Sequence, residues 1–354
     1  MPAFPAHHPT LPMDRIADCF SDTYSEARAK FLDAVRTGGA RLLSSHVNPA
    51  KGPGGEDCVT DVAWIGPDDA SKLLILVSGT HGAEGYAGSG CHVAWLRDGW
   101  FARAAARDTA VLLIHAMNPH GFAWGRRVNE DNIDLNRNFV NFSQPLPANP
   151  DYEALAAHID PSDWSEPALG AHNRAIAQFL GRDTHDVMCK AIHGGQYVNP
   201  RGVFFGGTGP AWSNRLFREI VARHAARATR HVAIIDYHTG GGVWGYCDLF
   251  IDDDLAGRPT RNWFSQVTVI AEDKAAHGKN AQSETPGNLF YALPGILPGR
   301  ALTLCLVELR TGEAGGHDAV RAENWLFQHG DPDSAMGLAL RARMRERFYP
   351  ARRE

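Results

Sequence analysis

Three short fragments of the chain carry residues that could bind a metal ion and act on water. They are His81-Gly-Ala-Glu84, Asp236-Tyr-His238 and Val307-Glu308-Leu-Arg310, and each follows or ends an apolar run. Two histidines and one glutamate leave the fourth position of a tetrahedral zinc ion open for water, as catalytic sites do. Zinc lowers the pKa of water from about 15.7 to about 7, and a further glutamate can take and return the proton. The fragments therefore predict a metal-dependent hydrolase.

Position in the chain favours these histidines over the others. His81 and Glu84 lie three residues apart in a glycine-containing turn after a buried strand, where both side chains can reach one ion. His238 comes much later, again at the end of an apolar run, so neighbouring strands could bring it to the same ion. Four further histidines near strand ends or turns are more simply interpreted as structural: His115, His120, His193 and His231.

A second set of motifs lies between the first and second fragments. It comprises Asn118-Pro-His-Gly-Phe122, then Arg126-Arg127, then Asp134-Leu-Asn-Arg-Asn138-Phe139. With the three fragments above, this order resembles the zinc carboxypeptidase clan of metallopeptidases, whose pattern runs His-x-x-Glu, Asn-Pro-Asp-Gly, Arg, Asp-x-Asn-Arg-Asn, His and Glu-Leu-Arg. The resemblance covers residues 81–310. Within that clan the chain looks most like the DUF2817 group.

The resemblance implies roles for the metal-site residues. His81, Glu84 and His238 would be the ligands of one Zn²⁺ ion, and Glu308 would be the general base and acid. Asp134 would bind the imidazole of His81 and fix its tautomer.

The same resemblance implies how a substrate would be held. Asn136 and Arg137 would bind a substrate carboxylate, Arg137 through a bidentate fork. Arg126 or Arg127 would polarise the scissile carbonyl, and Arg127 is preferred. The familiar carboxypeptidases also carry a tyrosine on a loop shortly before the final glutamate. Tyr291 is the nearest counterpart, and its role stays open.

These roles are compatible with more than one activity. The leading hypothesis is a zinc hydrolase of carboxypeptidase type that cleaves an amide bond next to a carboxylate-bearing residue, with a small peptide as substrate. The alternative is an N-acyl amino acid deacylase of the aspartoacylase or succinylglutamate desuccinylase kind, because the Asp-x-Asn-Arg-Asn segment suits both. A non-catalytic metal-binding protein is a third, weaker hypothesis.

Hydrophobic patterning predicts the elements that would position these residues. Strands are expected at 59–65, 73–77, 111–115, 232–235 and 301–307, and a leading helix at 22–47. Several buried strands end in polar motifs, which is typical of an open α/β sheet with ligands bound beyond the carboxyl ends of the strands. We therefore expect a mixed, largely parallel open sheet with helices on both faces, of zinc-carboxypeptidase type.

The domain organisation predicted from the sequence is simple. Residues 1–354 are expected to form one catalytic domain, with an N-terminal extension at 1–21 and long loops at 143–167 and 193–214. The second loop is rich in glycine and aromatic residues. It is either a plain connection or a roof over the site that restricts which substrates enter.

Composition limits the partners that we expect. The 354 residues carry a net charge of -5, which gives no general attraction to nucleic acid or acidic membranes. The first ten residues lack the basic start and apolar stretch of a secretory signal, and the six cysteines form no Cys-x-x-Cys pair. We therefore expect a cytoplasmic enzyme with reduced cysteines. No pattern indicates an oligomeric state.

Overall fold

The part of the chain that the structure describes forms an eight-stranded sheet at its centre, in the order β1-β2-β4-β3-β5-β8-β6-β7. The structure is a computed structural model that describes residues 13–99, 108–180, 191–225, 230–251, 268–269, 286–312 and 316–351. The strands are β1 Arg41–Lys51, β2 Asp57–Ile65, β3 Lys72–Ser78, β4 Thr109–His115, β5 His231–Gly240, β6 Cys247–Ile251, β7 Thr268–Val269 and β8 Ala301–Arg310.

The four central strands, β4, β3, β5 and β8, run parallel. The flanking strands β2 and β6 pair antiparallel with β4 and β8, and β1 pairs antiparallel with β2. The predicted fold class, a mixed open sheet whose centre is parallel, is confirmed. Because parallel strands end at the same edge, the polar residues at the carboxyl ends of β3, β4 and β5 are brought together there.

Both faces of the sheet are covered, as the continuous apolar runs of the central strands require. Ile75, Leu112 and Ile234 pack on one face with Phe217, whereas Leu76 packs on the other face. The helices are α1 Met13–Ala17, α2 Tyr24–Thr37, α3 Gly85–Arg97, α4 Pro119–Trp124, α5 Pro150–Ile159, α6 Glu166–Leu180, α7 Trp212–His224, α8 Leu293–Ile296, α9 Gly316–His329 and α10 Ala335–Phe348.

The leading helix is shorter than the sequence pattern predicts. The prediction of helix over 22–47 is wrong beyond Thr37, where Gly38 caps α2 and Gly39 adopts a φ of 73°. Glycine adopts this left-handed backbone without the steric cost of a Cβ, so the chain turns and continues as β1. The apolar residues Leu42 and Val47 therefore lie on a strand and are exposed.

The two segments predicted as long loops differ from one another. Within 143–167 the structure has α5, where Asn149 accepts a hydrogen bond from the backbone N–H of Tyr152 and proline occupies the first helical turn. Within 193–214 the chain runs without a long element until α7 begins at Trp212, with one bridge between Gln196 and Phe205. Most of the predicted extension, residues 1–12, lies outside the described residues.

Among the described helices, none has the length and apolar character needed to cross a membrane.

Candidate active site

The turn after β3 places His81 and Glu84 side by side. Gly79 adopts a φ of 67° directly after β3, and a 3-10 turn at Gly82–Glu84 then leads into α3. Backbone N–H groups of Gly82 and Ala83 donate to the carbonyls of Arg127 and Arg126 at 3.2 and 2.8 Å. The turn and the arginine segment are therefore fixed to one another at the carboxyl edge of the sheet.

Strand register brings His238 and Glu308 to the same place. Ser78 at the end of β3 pairs with Tyr237, and His238 on β5 pairs with Glu308 on β8. The second and third fragments thus lie inside strands that run on to Gly240 and Arg310, further than the predicted ends. The backbone N–H of Thr239 donates to Glu84 Oε2 at 3.0 Å, which ties β5 to the first turn.

His81, Glu84 and His238 form a group that fits a metal ion. One ligand atom from each lies within 4.8 Å of the others, and all three side chains are buried. Ligand atoms that bind one zinc ion at about 2 Å lie at most about 4 Å apart. Small side-chain movements would therefore bring these three ligand atoms to one ion. His81 Nδ1 is buried without a hydrogen-bond partner among the described residues. An imidazole, a second imidazole and a carboxylate are the donors that Zn²⁺ prefers.

The ionisation of the two imidazoles also fits a cation site. Burial and the charge of Arg127 hold the pKa of His81 well below its ordinary value, so this ring is neutral. Burial alone would lower the pKa of His238, but Asp236 and Glu84 raise it well above the ordinary value. His238 Nδ1 donates to Glu84 Oε2 at 3.0 Å. A cation bound by His238 Nδ1 and Glu84 Oε2 would replace the proton that they share. Metal binding is commonly coupled to proton release in this way.

Asp236 orients His238 from the same strand. His238 Nε2 donates to Asp236 Oδ2 at 2.8 Å, and Thr80 Oγ1 donates to Asp236 Oδ1 at 2.8 Å. Sequence reasoning quoted Asp236 within a motif but gave it no role. The signal was available, because residues i and i+2 of a strand point to the same face.

Glu308 lies next to this group in a space that only glycine leaves open. A Cβ at position 240 would lie 1.9 Å from Glu308 Oε1, so Gly240 makes room for the carboxylate. Burial, followed by the charge of Glu84, raises the pKa of Glu308 to about 7. A carboxylate with a pKa near neutrality can both accept and return a proton at physiological pH.

Arg127 contacts three of the predicted site residues. Its Nη2 donates to His81 Nε2 at 2.8 Å, its Nε donates to Asp134 Oδ2 at 3.0 Å, and its Nη1 lies 3.5 Å from Glu84 Oε1. Asp134 Oδ1 accepts from the N–H of Asn136 and lies 3.5 Å from His81 Nδ1. Burial opposes ionisation of Asp134, yet the charge of Arg127 holds its pKa below the ordinary value.

Arg126 does not join the site, which corrects its inclusion among the candidate catalytic residues. It forms a buried ion pair with Glu323, donates to Asn132 Oδ1 at 2.9 Å and lies over the ring of Phe327 at 4.1 Å. The two neighbouring arginine side chains leave the backbone in different directions. Arg126 therefore links its segment to α9, whereas Arg127 reaches His81 and Glu84.

The predicted carboxylate anchor lies on the other side of His238. Asn136 Nδ2 is 3.5 Å from His238 Nε2. Arg137 donates from Nε and Nη2 to the carbonyl of His193 at 3.0 and 2.6 Å, and from Nη1 to the carbonyl of Asn136 at 3.0 Å. A Cβ at Gly195, where φ is 74°, would lie 2.5 Å from Arg137 Cδ, so glycine permits this close packing.

Tyr291 lies on a 3-10 turn at the edge of this region. It is 39% exposed, in the turn Leu289–Ala292. The N–H of Leu289 donates to Asn136 Oδ1 at 3.3 Å, so the turn is attached to the anchor. The structure thus places Tyr291 near the site, on a turn that is attached to Asn136.

A comparison with protein-family models identifies the family of this chain. The model of one family, described as a protein of unknown function (DUF2817), matches residues 20–354. The chain belongs to the DUF2817 family. Membership of that group, predicted from the ordered motifs, is confirmed. No curated protein matches the sequence.

Several solved structures are similar to this DUF2817 protein at low identity. Carboxypeptidase A from Helicoverpa armigera is 13% identical, with 92% of this chain and 73% of that chain covered and a TM-score of 0.44. Murein-tripeptide amidase from Escherichia coli O157 is 14% identical, with 86% and 94% covered and a TM-score of 0.37. Succinylglutamate desuccinylase from Chromobacterium violaceum is 14% identical, with 91% and 74% covered and a TM-score of 0.35.

Proposed function

We propose that this protein is a zinc-dependent hydrolase that cleaves an amide bond next to a carboxylate-bearing residue of a small substrate. The observation that carries the proposal is the convergence of His81, Glu84 and His238 within 4.8 Å, with Glu308 on the neighbouring strand. A structural zinc site has four protein ligands, whereas three ligands with a free carboxylate nearby are typical of hydrolytic sites.

Glu308 is the proposed general base and acid. A Zn²⁺ ion held by the three ligands would supply a nucleophile by lowering the pKa of water. Glu308 would take the proton of that water and return it to the leaving amine. Its pKa of about 7, caused by burial and by Glu84, lets it perform both transfers near neutral pH.

Arg127 is the proposed donor to the scissile carbonyl. Its guanidinium already lies within hydrogen-bond distance of His81 and Asp134, so its charge is fixed beside the reacting centre. The negative charge that develops on the carbonyl oxygen would be stabilised by N–H groups placed there beforehand. Asp134 holds the guanidinium through Nε. Nη1 and Nη2 each use one N–H toward Glu84 and His81, and the second N–H of each is the proposed donor to the substrate.

Asn136 and Arg137 are proposed to hold the substrate carboxylate. A guanidinium has five N–H donors. In the described contacts of Arg137, three of them donate to main-chain carbonyls, which fixes the plane of the group. The remaining terminal donors can then bind a carboxylate without a further loss of side-chain freedom.

Metal dependence tests the proposal directly. We expect the purified protein to contain about one zinc ion, to lose turnover on treatment with a chelator and to regain it with Zn²⁺. Glu84→Gln should bind zinc more weakly. His231→Gln is the matched control, because His231 bonds Thr303 at the far end of β5, and it should keep wild-type zinc content.

The role of Glu308 needs a variant that keeps the metal. Glu308→Gln should retain zinc but lose turnover by about a hundredfold or more. A suitable panel contains N-acetyl dipeptides and N-acetyl amino acids, each with a free carboxylate and as the C-terminal amide. Faster hydrolysis of the free carboxylates than of the C-terminal amides would support Asn136 and Arg137 as the carboxylate anchor. The series that is hydrolysed faster, dipeptides or amino acids, identifies the substrate class. Wild-type turnover in Glu308→Gln would refute the mechanism.

A further inference from the structure

One aromatic ring lies against both arginines of the site. The guanidinium carbon of Arg127 is 4.8 Å from the centre of the Phe204 ring, and that of Arg137 is 5.4 Å away. Both distances are within the range of cation–π attraction, which is strongest where water is excluded. Phe204 is 3% exposed, so the ring provides such a place.

The backbone of Phe204 has a conformation that bulky residues avoid. Its φ is 53°, in the left-handed region, where the Cβ of a residue other than glycine is crowded. Such residues persist only where the surrounding structure holds them, and they concentrate at functional sites. A glycine would be the simpler choice for this turn. The presence of phenylalanine points to a use for its side chain.

Hydrogen bonds hold the Phe204 segment in place against the site. The N–H of Gln196 donates to the carbonyl of Phe204 at 3.1 Å, and Gln196 Nε2 donates to the carbonyl of Val203 at 3.3 Å. On the other side, the N–H of Asp134 donates to the carbonyl of Phe205 at 2.8 Å. The segment is thus fixed to the residue that also binds Arg127.

His193 completes the packing around the ring. The centre of its imidazole lies 5.4 Å from the centre of the Phe204 ring. Its carbonyl accepts the hydrogen bonds from Nε and Nη2 of Arg137. The same stretch of chain, 193–205, therefore supplies the acceptor that orients Arg137 and the ring on which Arg137 rests. The sequence by itself is compatible with this stretch being either a plain connection or a roof.

We infer that Phe204 is a positioning residue, whose ring forms one platform that sets the places of Arg127 and Arg137 relative to one another. The platform would align the donor to the scissile carbonyl with the anchor of the substrate carboxylate. Its catalytic consequence rests on the proposed function, whereas its effect on the two guanidinium groups does not.

The first test observes the arginines without any substrate. In protein labelled with ¹⁵N-arginine, the ring current of Phe204 should shift the Hε signals of Arg127 and Arg137, which are assigned by Arg127→Lys and Arg137→Lys. Phe204→Leu should move both signals toward ordinary values. Unchanged signals in a folded Phe204→Leu protein would overturn the platform.

A second variant separates the ring from the strained backbone. Phe204→Gly removes the ring while glycine adopts a φ of 53° freely, so the turn itself is retained. Both ring-free variants should show the same displaced signals. The matched control is Phe327→Leu, because the ring of Phe327 lies against the guanidinium of Arg126, an arginine outside the site. It should leave the signals of Arg127 and Arg137 unchanged.

Kinetics on the best substrate of the acid panel then tests the consequence. Loss of the ring should lower kcat through Arg127 and raise KM through Arg137, so that kcat/KM falls by about tenfold to a hundredfold. Phe204→Tyr keeps the ring and should therefore retain most of the wild-type kcat/KM. Phe327→Leu should have wild-type kinetics. In an Arg137→Lys background, Phe204→Leu should raise KM by much less.

The outcomes separate the two proposals. Displaced arginine signals with unchanged kcat and KM would overturn Phe204 as a positioning residue while the hydrolase proposal stands. If no panel substrate is hydrolysed by zinc-loaded protein, the hydrolase proposal fails. The arginine signals would still decide whether the platform exists.

Discussion

Arg126 and Arg127 are adjacent in the chain but bind different groups. Arg127 donates to His81 Nε2 at 2.8 Å, within the candidate metal site, whereas Arg126 forms a buried ion pair with Glu323 on α9. The proposed function therefore assigns a catalytic role to Arg127 and a stabilising role to Arg126.

Substitution of each arginine should separate these two functions. Arg127→Met should lower kcat/KM of the folded protein by about a hundredfold, as expected for loss of a charged donor. Arg126→Met leaves Glu323 buried without its partner, so we expect about 3 kcal/mol or more of lost stability. Steady-state kinetics and urea unfolding of both variants measure the two effects. A larger loss of kcat in folded Arg126→Met than in Arg127→Met would contradict the assignment of the catalytic role to Arg127.

Asp236→Asn should weaken zinc binding through His238. The carboxylate accepts from His238 Nε2 at 2.8 Å and so fixes the ring that presents Nδ1 to the site. Loss of such a partner typically costs tenfold to a hundredfold in metal affinity, and we expect about that range here. Competition with a chelating dye measures it. Tyr237→Phe is the control, since the intervening side chain points to the opposite face of β5. Equal affinities in Asp236→Asn and wild type would contradict the role.

Gly240→Ala should inactivate the enzyme while leaving zinc binding largely intact. The added methyl would lie 1.9 Å from Glu308 Oε1, so the carboxylate must move away from its present place. A displaced general base should lower kcat by about a hundredfold. Gly295→Ala is the control, because nothing lies within 4 Å of its Cβ position. Undiminished turnover in Gly240→Ala would show that the position of Glu308 is not critical.

Asp160 should make the protein less stable as the pH rises from about 4 to 6. Burial raises the pKa of Asp160 to about 6, although Tyr152 Oη and the N–H of Val203 donate to it at 2.7 and 3.0 Å. A carboxyl group whose folded-state pKa is raised stabilises the fold below its unfolded pKa of about 3.8, and this contribution is lost through pH 6. The loss amounts to about 3 kcal/mol.

The Asp160→Asn variant provides the measurement. Urea unfolding at several pH values should show that the stability of wild type relative to Asp160→Asn falls between pH 4 and pH 6.5. Glu153→Gln, on the exposed side of α5, should show no such trend relative to wild type. A wild-type advantage that grows with pH would contradict the direction of the shift.

The chemistry-bearing residues were recognisable from the sequence because they sit in short local patterns. His81 and Glu84 are three residues apart, Asp134, Asn136 and Arg137 share one segment, and Glu308 follows an apolar run. Strand periodicity was also local, so the parallel centre of the sheet could be predicted. The extent of α2 could not, since apolar residues of β1 happen to continue a helical spacing past Gly38 and Gly39.

The relations between distant segments depended on the tertiary structure. The sequence alone determined the α/β class and the family, and it supplied the candidate metal ligands. It left Arg126 and Arg127 unresolved, gave Asp236 no role and gave no hint of Phe204. Which way a side chain leaves the backbone, and what lies opposite it, depends on strand register and loop packing. Only the fold brought Phe204 beneath Arg127 and Arg137, because contacts across so many residues are set by packing rather than by local pattern.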